Sequence, residues 1–360
     1  TVSNYAEPAI ASATYDYSTG VITLTGTNFV NTSGGNNDIV ANKFTITGEG
    51  GATYTLTSNN VEITSDTAAT VTLNAADQLL VHGLLNKNGT TSETAGTTYN
   101  LAAADNWMAG SPAGNTIVDG SAAINVSNVA APTISSATYD ASTNALVVTG
   151  TNFVAKSGAA NDIDISTLTL TGEGGASYTI TSTTDVEVTS ATEFTVTLSG
   201  ADLTHVEALL NKDGTTAESG TTYNLAAADN WLAQAPSGND IADTTGNAIN
   251  VSNYAAPSIT SSTYDFSAGV LLLTGSNFVS NSGGNDVDVT KLTLTGENGA
   301  TFTLTADTNN VNITSDTQIS VTLGATDKLS VNGLLNKDGA QADDGVNNYN
   351  LAAAEDWLTG

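Results

Sequence analysis

One motif occurs three times in this chain, and its repetition constrains the fold more than any other feature. The copies begin at Tyr15, Tyr139 and Tyr264, 124 and 125 residues apart, and read YDYSTGVITLTGTNFV, YDASTNALVVTGTNFV and YDFSAGVLLLTGSNFV. Tandem copies this alike indicate that function comes from repetition, through length, stiffness, multivalency or lattice formation. A single asymmetric catalytic pocket is not expected.

The spacing divides the 360 residues into three modules of ordinary domain size. We place module 1 at residues 1–130, module 2 at 131–255 and module 3 at 256–360, the last without the closing segment that ends the other two. Each is long enough to bury its own core, unlike the short repeat of a solenoid. The linkers at 125–132 and 250–257 are short and end in proline, which predicts a semi-rigid rod.

The chain carries a formal charge of −29, from 36 acidic residues against seven cationic residues that are all lysine. Without arginine, and with this charge, it is a poor candidate for binding nucleic acid or inserting at an anionic membrane surface. Cations are the natural partners, although a solvated, self-repelling surface explains most of the dispersed carboxylates.

The chain has no cysteine, so neither disulfides nor thiol chemistry stabilise or operate it. An acidic, cysteine-free composition suits bacterial extracellular export, where a bound metal ion can replace the disulfide. No apolar run approaches the length of a membrane span, and no basic leader starts the segment. We expect an extracellular location, at the bacterial cell surface or secreted, with any targeting signal outside this segment.

Short strands with period-two alternation are predicted in the first part of each module. In module 1 they lie around Ile22/Leu24, Phe44/Ile46, Tyr54/Leu56, Val61/Ile63 and Val71/Leu73. Turn signals such as the GEGG at 48–51 separate them, which indicates a mainly β fold of immunoglobulin-like antiparallel β-sandwich modules. The phenylalanines that end the repeated motif, Phe29, Phe153 and Phe278, are predicted to be buried.

The period changes after these strands, and short helical insertions are predicted. A helix starts at Asn74 with an acidic first turn and stops near the Lys-Asn-Gly at 87–89. A second helical patch is predicted at 100–107, where Trp107 plugs one end of the core. A closing strand around 124–126 ends the module.

The segment PTISSATYDASTNALVVTGTNF of module 2 and the segment VNITSDTQISVTL of module 3 resemble the immunoglobulin-like IPT/TIG type of module. The likeness covers the first part of each copy, and the later part departs from a minimal module of that family. As whole repeats, the copies are similar to those of very large bacterial surface proteins, adhesins or surface-layer components. The resemblance implies an extracellular, structural or adhesive role, and calcium is common among such proteins.

The strongest candidates for a metal site are Gly-rich loops that enter a strand. These loops contain Asn161, Asp162 and Asp164 in module 2, and Asn285, Asp286 and Asp288 in module 3. Alternating carboxylates and backbone carbonyls can converge there on a hard cation such as calcium. The alternative is an Asx-rich turn that satisfies its own backbone.

The corresponding loop of module 1 is expected to bind calcium more weakly. It has Asn37 and Asp38, but Val40 stands where the other modules have their second aspartate.

A second acidic group precedes the linker between modules 2 and 3. It consists of Asp240, Asp243 and Asn247, and Asp119 is the nearest counterpart in module 1. A cation bound here, together with Asp265, would lock the angle between modules. An ordinary turn is the alternative, because the sequence DTTGN is typical of turns.

Catalysis has little support in the sequence. His82 and His205 occupy different positions in their modules, so neither can anchor a repeated triad or metal site, and each is expected at the surface or half-buried. No nucleophile and base recur as a pair, which argues against an enzyme.

The chain ends suggest how copies meet. Residues 1–5 match 250–254, whereas module 3 stops before a closing strand. An open sheet edge recruits strands from other chains, so a head-to-tail polymer is one expectation. The other is that the segment was cut from a longer array.

Together these features predict the structural repeat region of an extracellular bacterial surface protein. It would act as a calcium-stiffened spacer, filament or adhesin stalk, with copies of itself or neighbouring repeats as partners. The alternatives are a surface-layer lattice protein and an array of carbohydrate-binding modules for host or surface glycans. Against glycan binding, no exposed aromatic cluster recurs, and Tyr54 and Tyr178 take predicted core positions.

Overall fold

The three modules repeat one order of short strands and a single α-helix. The computed structural model describes residues 3–93, 96–112, 114–236, 240–280 and 285–358. Module 1 contains β1 (Ala9–Asp16), β2 (Val21–Thr27), β3 (Phe44–Thr47), β4 (Thr53–Thr55), β5 (Ala68–Thr72), α1 (Ala75–Leu84), β6 (Asn100–Ala103) and β7 (Asp119–Ser127). Module 2 contains β8 (Thr133–Asp140), β9 (Ala145–Thr151), β10 (Leu168–Thr171), β11 (Ser177–Thr179), β12 (Glu193–Thr197), α2 (Gly200–Leu209), β13 (Asn224–Ala227) and β14 (Ile249–Ser252). Module 3 contains β15 (Ser258–Asp265), β16 (Val270–Ser276), β17 (Leu292–Thr295), β18 (Thr301–Thr303), β19 (Gln318–Thr322), α3 (Ala325–Leu334) and β20 (Asn350–Ala353).

Two layers of strands enclose the core of each module. In module 2 one sheet has the order β11-β10-β13 and the other β12-β9-β8-β14. The alternating apolar residues of both sheets point inward and belong to one buried cluster. The predicted mainly β fold of immunoglobulin-like sandwich modules with short helical insertions is confirmed.

The sandwich was predicted to be antiparallel, but the first and last strands of modules 1 and 2 pair in parallel. In module 1, β7 pairs parallel with β1 and antiparallel with β6. It thereby joins the two halves into one sheet of order β4-β3-β6-β7-β1-β2-β5. In module 2, β14 pairs with β8 in the same parallel manner.

The helix predicted at 100–107 is wrong. Residues Asn100–Ala103 form β6, which pairs antiparallel with β3, and Leu101 and Ala103 alternate inward. The helical propensity of alanine is a weak preference that pairing on both edges of the strand overrides. Trp107 follows in a turn and is fully buried, as predicted.

The strand predicted at Val61/Ile63 is reduced to a single bridge between Val61 and Ile39. The N–H of Ile63 donates instead to the carboxylate of Asp38 at 2.8 Å. The alternation at this position therefore reflects side-chain burial without a continuous backbone ladder.

The predicted helix start at Asn74 is confirmed. Its side chain accepts a hydrogen bond from the N–H of Asp77 at 2.8 Å, which caps α1. No helix among the described residues combines the length and apolarity needed to cross a membrane.

Modules 1 and 2 pack directly against one another. Their buried apolar side chains form one continuous cluster, whereas those of module 3 form a second. At the contact, the N–H of Ala155 donates to the carbonyl of Leu79 in α1 at 3.0 Å. Gly83 lies beside this bond, and a Cβ added there would lie 2.5 Å from the carbonyl oxygen of Ala155. Glycine therefore allows α1 to approach module 2 closely.

The phenylalanines that end the repeated motif are all buried, which confirms their predicted place in the core. Phe153 is fully buried, and its ring centroid lies 5.5 Å from those of Phe194 and Trp231.

Replacing Phe153 with Ala should lower the free energy of unfolding of module 2 by about 3–5 kcal/mol, because the cavity would lie between two large rings. Phe266→Ala is the control, since that ring is 52% exposed. Denaturant unfolding measures both, and equal losses would contradict the assignment.

Candidate metal-binding loops

The first aspartate of each predicted metal loop is buried and bonded to backbone amides. Asp38 and Asp162 accept from the N–H groups of Ile63 and Val188, both at 2.8 Å. Asp286 accepts from the N–H of Ile313 at 2.7 Å. Asp38 and Asp162 thereby fasten their Gly-rich loops to the segment that follows β4 or β11, and Asp286 makes the same bond to the segment that follows β18.

The second aspartate of the predicted sites has a different local role. Asp164 and Asp288 each cap a short 3₁₀ turn, where they accept from the N–H two residues later at 3.1 and 3.0 Å. Both therefore have the local bonding of an Asx turn, which was the alternative to calcium. Val40 takes this position in module 1 and has no side-chain cap bond.

The asparagines of these loops also differ between modules. Asn37 Nδ2 donates to the carbonyl of Ser33 at 3.3 Å, and Asn161 Nδ2 donates to that of Ser157 at 3.4 Å. The Oδ1 atom of Asn161 is buried and has no hydrogen-bond partner within the described part of the chain. The N–H of Asn285 donates to Asn312.

Module 2 adds a carboxylate that the sequence did not single out, that of Glu187. Its Oε2 atom is buried and lacks a hydrogen-bond donor among the described residues. The pKa of Asp162 is raised to about 6, first by burial and also by the negative charge of Glu187. The N–H groups of Val188 and Lys156 act in the opposite direction but do not outweigh these causes. Asn161 Oδ1 and Glu187 Oε2 therefore lack donors among the described residues, and the charge of Glu187 acts directly on Asp162.

The difference between modules 1 and 2 comes from hydrogen-bond donors that module 1 has and module 2 lacks, one of which is the hydroxyl of Thr32, which donates to Asp38 at 2.8 Å where module 2 has Lys156. In module 1 the counterpart of Glu187 is Glu62, whose Oε1 accepts from Asn31 Nδ2 at 2.9 Å. Module 2 has Ala155 where module 1 has Asn31, so that donor is missing. Burial also raises the pKa of Asp38, but there the amides of Ile63 and Thr32 outweigh it and lower the pKa overall.

The second predicted metal group is only partly brought together. Asn247 Nδ2 donates to Asp243 Oδ1 at 2.9 Å, and Asp243 Oδ2 accepts from the N–H of Ile134 at 3.1 Å. Asp240 accepts from Ala242 in its own turn. Asp265 likewise bonds Ser267 and Ala268 in its own turn.

Asp119 in module 1 repeats the role of Asp243, since it accepts from the N–H of Ile10 at 3.2 Å. These two aspartates therefore fasten the closing segment of a module to its own first strand. Across the described residues, no three His, Cys, Asp or Glu side chains are grouped as a metal site requires. Calcium binding stays a prediction, and the mixed Asn161, Asp162 and Glu187 set is the arrangement that favours it most.

A further buried carboxylate recurs at the same position in every helix, where the sequence predicted only an acidic first turn. Asp77, Asp202 and Asp327 are fully buried. Asp202 accepts from Tyr178 Oη at 2.8 Å and from the N–H groups of Thr181 at 3.0 Å and Thr183 at 2.6 Å. The carboxylate thus holds the start of the helix against the segment that follows β11.

The two histidines have no common environment. His82 is buried rather than at the surface or half-buried, and its ring stacks on that of Tyr17 with centroids 3.7 Å apart. Burial lowers its pKa to about 4, so it is neutral at pH 7. His205 is half-buried, within the expected range, and its ring stacks on that of Tyr178 with centroids 4.3 Å apart. Tyr178 and Tyr54 are half-buried rather than in the core.

Comparison with models of protein families gives no match, and neither does comparison with curated proteins. Among solved structures, the chain is similar to one from a study of Dscam isoform specificity, at 10% identity and a TM-score of 0.18, covering 89% of this chain and 71% of that one. It is also similar to a marsupial T cell receptor, at 11% identity and a TM-score of 0.17, covering 89% of this chain and 93% of that one. At these scores the likeness adds nothing to the sheet topology already described.

Asp202→Asn should lower the free energy of unfolding of module 2 by roughly 2–4 kcal/mol, because an amide cannot accept all the hydrogen bonds that the carboxylate accepts. Burial raises the pKa of Asp202, but the amide of Thr181 and the hydroxyl of Thr183 outweigh it and lower the pKa overall. The stabilisation is therefore present above the unfolded pKa of about 4 and lost as pH falls below it.

Unfolding at several pH values tests this, with Glu193→Gln on the exposed face of β12 as a control of equal charge change. Wild type and Asp202→Asn should converge in acid. A constant difference between them at every pH would show that the carboxylate charge is not what stabilises the helix start.

Proposed function

We propose that the chain is the structural repeat region of an extracellular bacterial surface protein, with modules of the IPT/TIG type, and that it acts as a semi-rigid spacer or stalk. The observation that carries the proposal is the direct contact between modules 1 and 2. A backbone hydrogen bond and shared apolar burial restrict the angle between neighbours far more than a flexible linker does. Adhesin stalk, filament and surface-layer lattice all use such a rod, and no catalytic step is proposed.

The junction between modules 2 and 3 supports a role for cations in setting stiffness. Glu207 in α2 is half-buried. Burial, and then the negative charge of Asp316 in module 3, raise its pKa. The two carboxylates repel across the junction, and a cation would remove the repulsion.

Gly83→Ala tests the spacer. The added Cβ meets the carbonyl oxygen of Ala155, so the contact between modules 1 and 2 should open, while module 1 itself stays folded. Small-angle scattering should then show a wider range of shapes, and the linker at 128–132 should be cleaved faster by protease.

Gly333→Ala is the matched control, because it lies at the same position of α3 and its added Cβ would meet nothing within 4 Å. It should leave scattering unchanged and stabilise α3 slightly, since alanine favours a helix. The spacer proposal fails if both variants scatter like the wild type.

We also propose that calcium binds between Asn161, Asp162 and Glu187, so that module 2 gains more stability from calcium than modules 1 and 3. Hard cations prefer such oxygen ligands, and the gain is about 2.7 kcal/mol when free calcium is 100 times the dissociation constant. In module 3 the counterpart of Glu187 is Asn312, and in module 1 the counterpart is already bonded by Asn31.

Without calcium, the raised pKa of Asp162 makes the stability of module 2 depend on pH in a direction that can be measured. The folded state holds this proton more tightly than the unfolded state, so its contribution to stability is full below about pH 4 and is lost as pH rises through about 6. Glu187→Gln should reduce this loss only in part, because burial of Asp162 is its larger cause, and should abolish the calcium response of module 2. Glu62→Gln is the matched control in module 1.

Amide hydrogen exchange follows each module separately and tests both statements. Protection of module 2 should rise with calcium at pH 7 in the wild type and in Glu62→Gln, but not in Glu187→Gln. Equal protection in calcium and in chelator would end the calcium proposal and leave the spacer, which rests on the module contact, untouched.

A further inference from the structure

A cleft lies between modules 1 and 2, beside the backbone hydrogen bond that joins them. Its volume is about 370 Å³, which is in the usual range for pockets that hold small molecules. Module 1 lines it with the turn at 49–52, the start of β4 and part of α1, and module 2 lines it with residues 155–157 and 233–235. A molecule bound in the cleft would therefore contact both modules at once.

One part of the cleft lining is apolar and already ordered. Leu80 and Leu84 of α1 line it from module 1, and Ala155 lines it from module 2. Tyr54 also lines the cleft, and its hydroxyl donates to the buried carboxylate of Asp77 at 2.9 Å. A tyrosine held in this way loses little entropy when a ligand packs against it.

Polar side chains of the cleft have hydrogen-bonding capacity that the protein itself does not use. In the described part of the chain, the side chains of Lys156, Ser157 and Gln234 make no hydrogen bond or ion pair. Gln234 is nevertheless positioned by the module contact, since a Cβ added at Gly83 would lie 3.3 Å from the Cβ of Gln234. An ammonium, a hydroxyl and an amide are therefore available to a ligand.

Glu49 adds a carboxylate to this set. It lines the cleft and is 7% exposed. A carboxylate accepts several hydrogen bonds, whereas the ammonium of Lys156 only donates and the amide of Gln234 does both. The ligand must therefore carry groups that donate as well as accept, together with an apolar surface for the leucine and alanine walls.

The charges of the cleft and of the chain exclude several ligand classes. A strongly anionic ligand would be repelled by Glu49 and by the charge of −29 on the chain. A metal cation would be repelled by Lys156. A wholly apolar ligand would remove water from these side chains without replacing its hydrogen bonds. A neutral sugar has none of these conflicts, because its hydroxyls donate and accept and its ring carbons are apolar.

We propose that the cleft binds one neutral pyranose sugar, free or at the end of a glycan, and that the bound sugar holds modules 1 and 2 at a fixed angle. The site is specific to this junction. In module 2, His205 takes the place of Leu80, and Ala208 takes the place of Gly83. This inference goes beyond the spacer role, since it assigns a ligand to one junction. A single site also agrees with the lack of a recurring aromatic cluster.

Saturation-transfer NMR of the full chain with free glucose, galactose, mannose and N-acetylglucosamine tests the binding. Ala52→Leu narrows the cleft, and Ala176→Leu makes the same change at the same turn of module 2, outside the cleft. Both alanines are exposed and extended, with φ of −66° and −67°, so leucine is tolerated at either.

Wild type and Ala176→Leu should bind at least one of the sugars, and Ala52→Leu should bind it about tenfold or more weakly, because the added carbons occupy its place. Gln234→Ala should also weaken binding, since it removes a free amide. If the wild type binds none of the four sugars, or if Ala52→Leu and Ala176→Leu bind equally well, the proposal is overturned.

Amide hydrogen exchange tests the fixed angle. The N–H of Ala155 bonds the carbonyl of Leu79 across the junction, so a bound sugar should slow its exchange in the wild type and in Ala176→Leu. Binding without slower exchange at Ala155 overturns the effect on the angle. The spacer is judged separately by the scattering of Gly83→Ala without sugar, so absence of sugar binding leaves it unaffected.

Discussion

The closing strand of each module is the element on which the rest of the sandwich depends. β7 pairs with the first strand of module 1 and with β6, so it connects residues more than a hundred positions apart and joins the two sheets. Ile124 and Val126 lie on its inner face and are buried. Where no such strand is present among the described residues of module 3, both β15 and β20 lie open and their inner side chains become exposed. The core of each module is therefore complete only when its last strand has been added.

A second constraint is the shortage of cations, which leaves buried carboxylates to be stabilised by backbone N–H groups. The described ion pairs are three lysine–acid contacts with solvent-exposed lysines, such as Lys87–Glu93 at 2.7 Å, and such surface pairs stabilise little. Inside, Asp38 and Asp77 and their counterparts accept from amides and hydroxyls instead. Module 2 has Ala155 and Lys156 where module 1 has Asn31 and Thr32, so Glu187 and Asp162 lack two side-chain donors, and burial together with the charge of Glu187 raises the pKa of Asp162.

Local patterns predicted the parts of the fold that local physics decides. The alternation of β2 and β3, the cap at Asn74 and the burial of the repeated phenylalanines could be read from neighbouring residues. The parallel pairing of β1 with β7 could not, because no short-range signal distinguishes it from an antiparallel neighbour. For the same reason an alanine-rich segment was assigned to a helix although it lies between two strands. The metal loops were located correctly in sequence, but the partner Glu187 lies 25 residues beyond Asp162. It stands at the same place as Glu62 and Asn312, and that exchange of acid for amide between repeats was the only signal available.

The modules share the residues of their core but differ at helix residues that face a neighbouring module. The buried phenylalanine, the tryptophan of the turn and the helix aspartate recur in every copy, because each is required for the same core. The residues of the helix that face the next module vary: Leu79 and Gly83 in α1 become Thr204 and Ala208 in α2. Since an added Cβ at Gly83 would meet the backbone of module 2, alanine at this position is not compatible with the same approach. The two junctions must therefore differ in geometry although the modules they connect are alike, and the angle between modules is set by a few helix residues rather than by the fold.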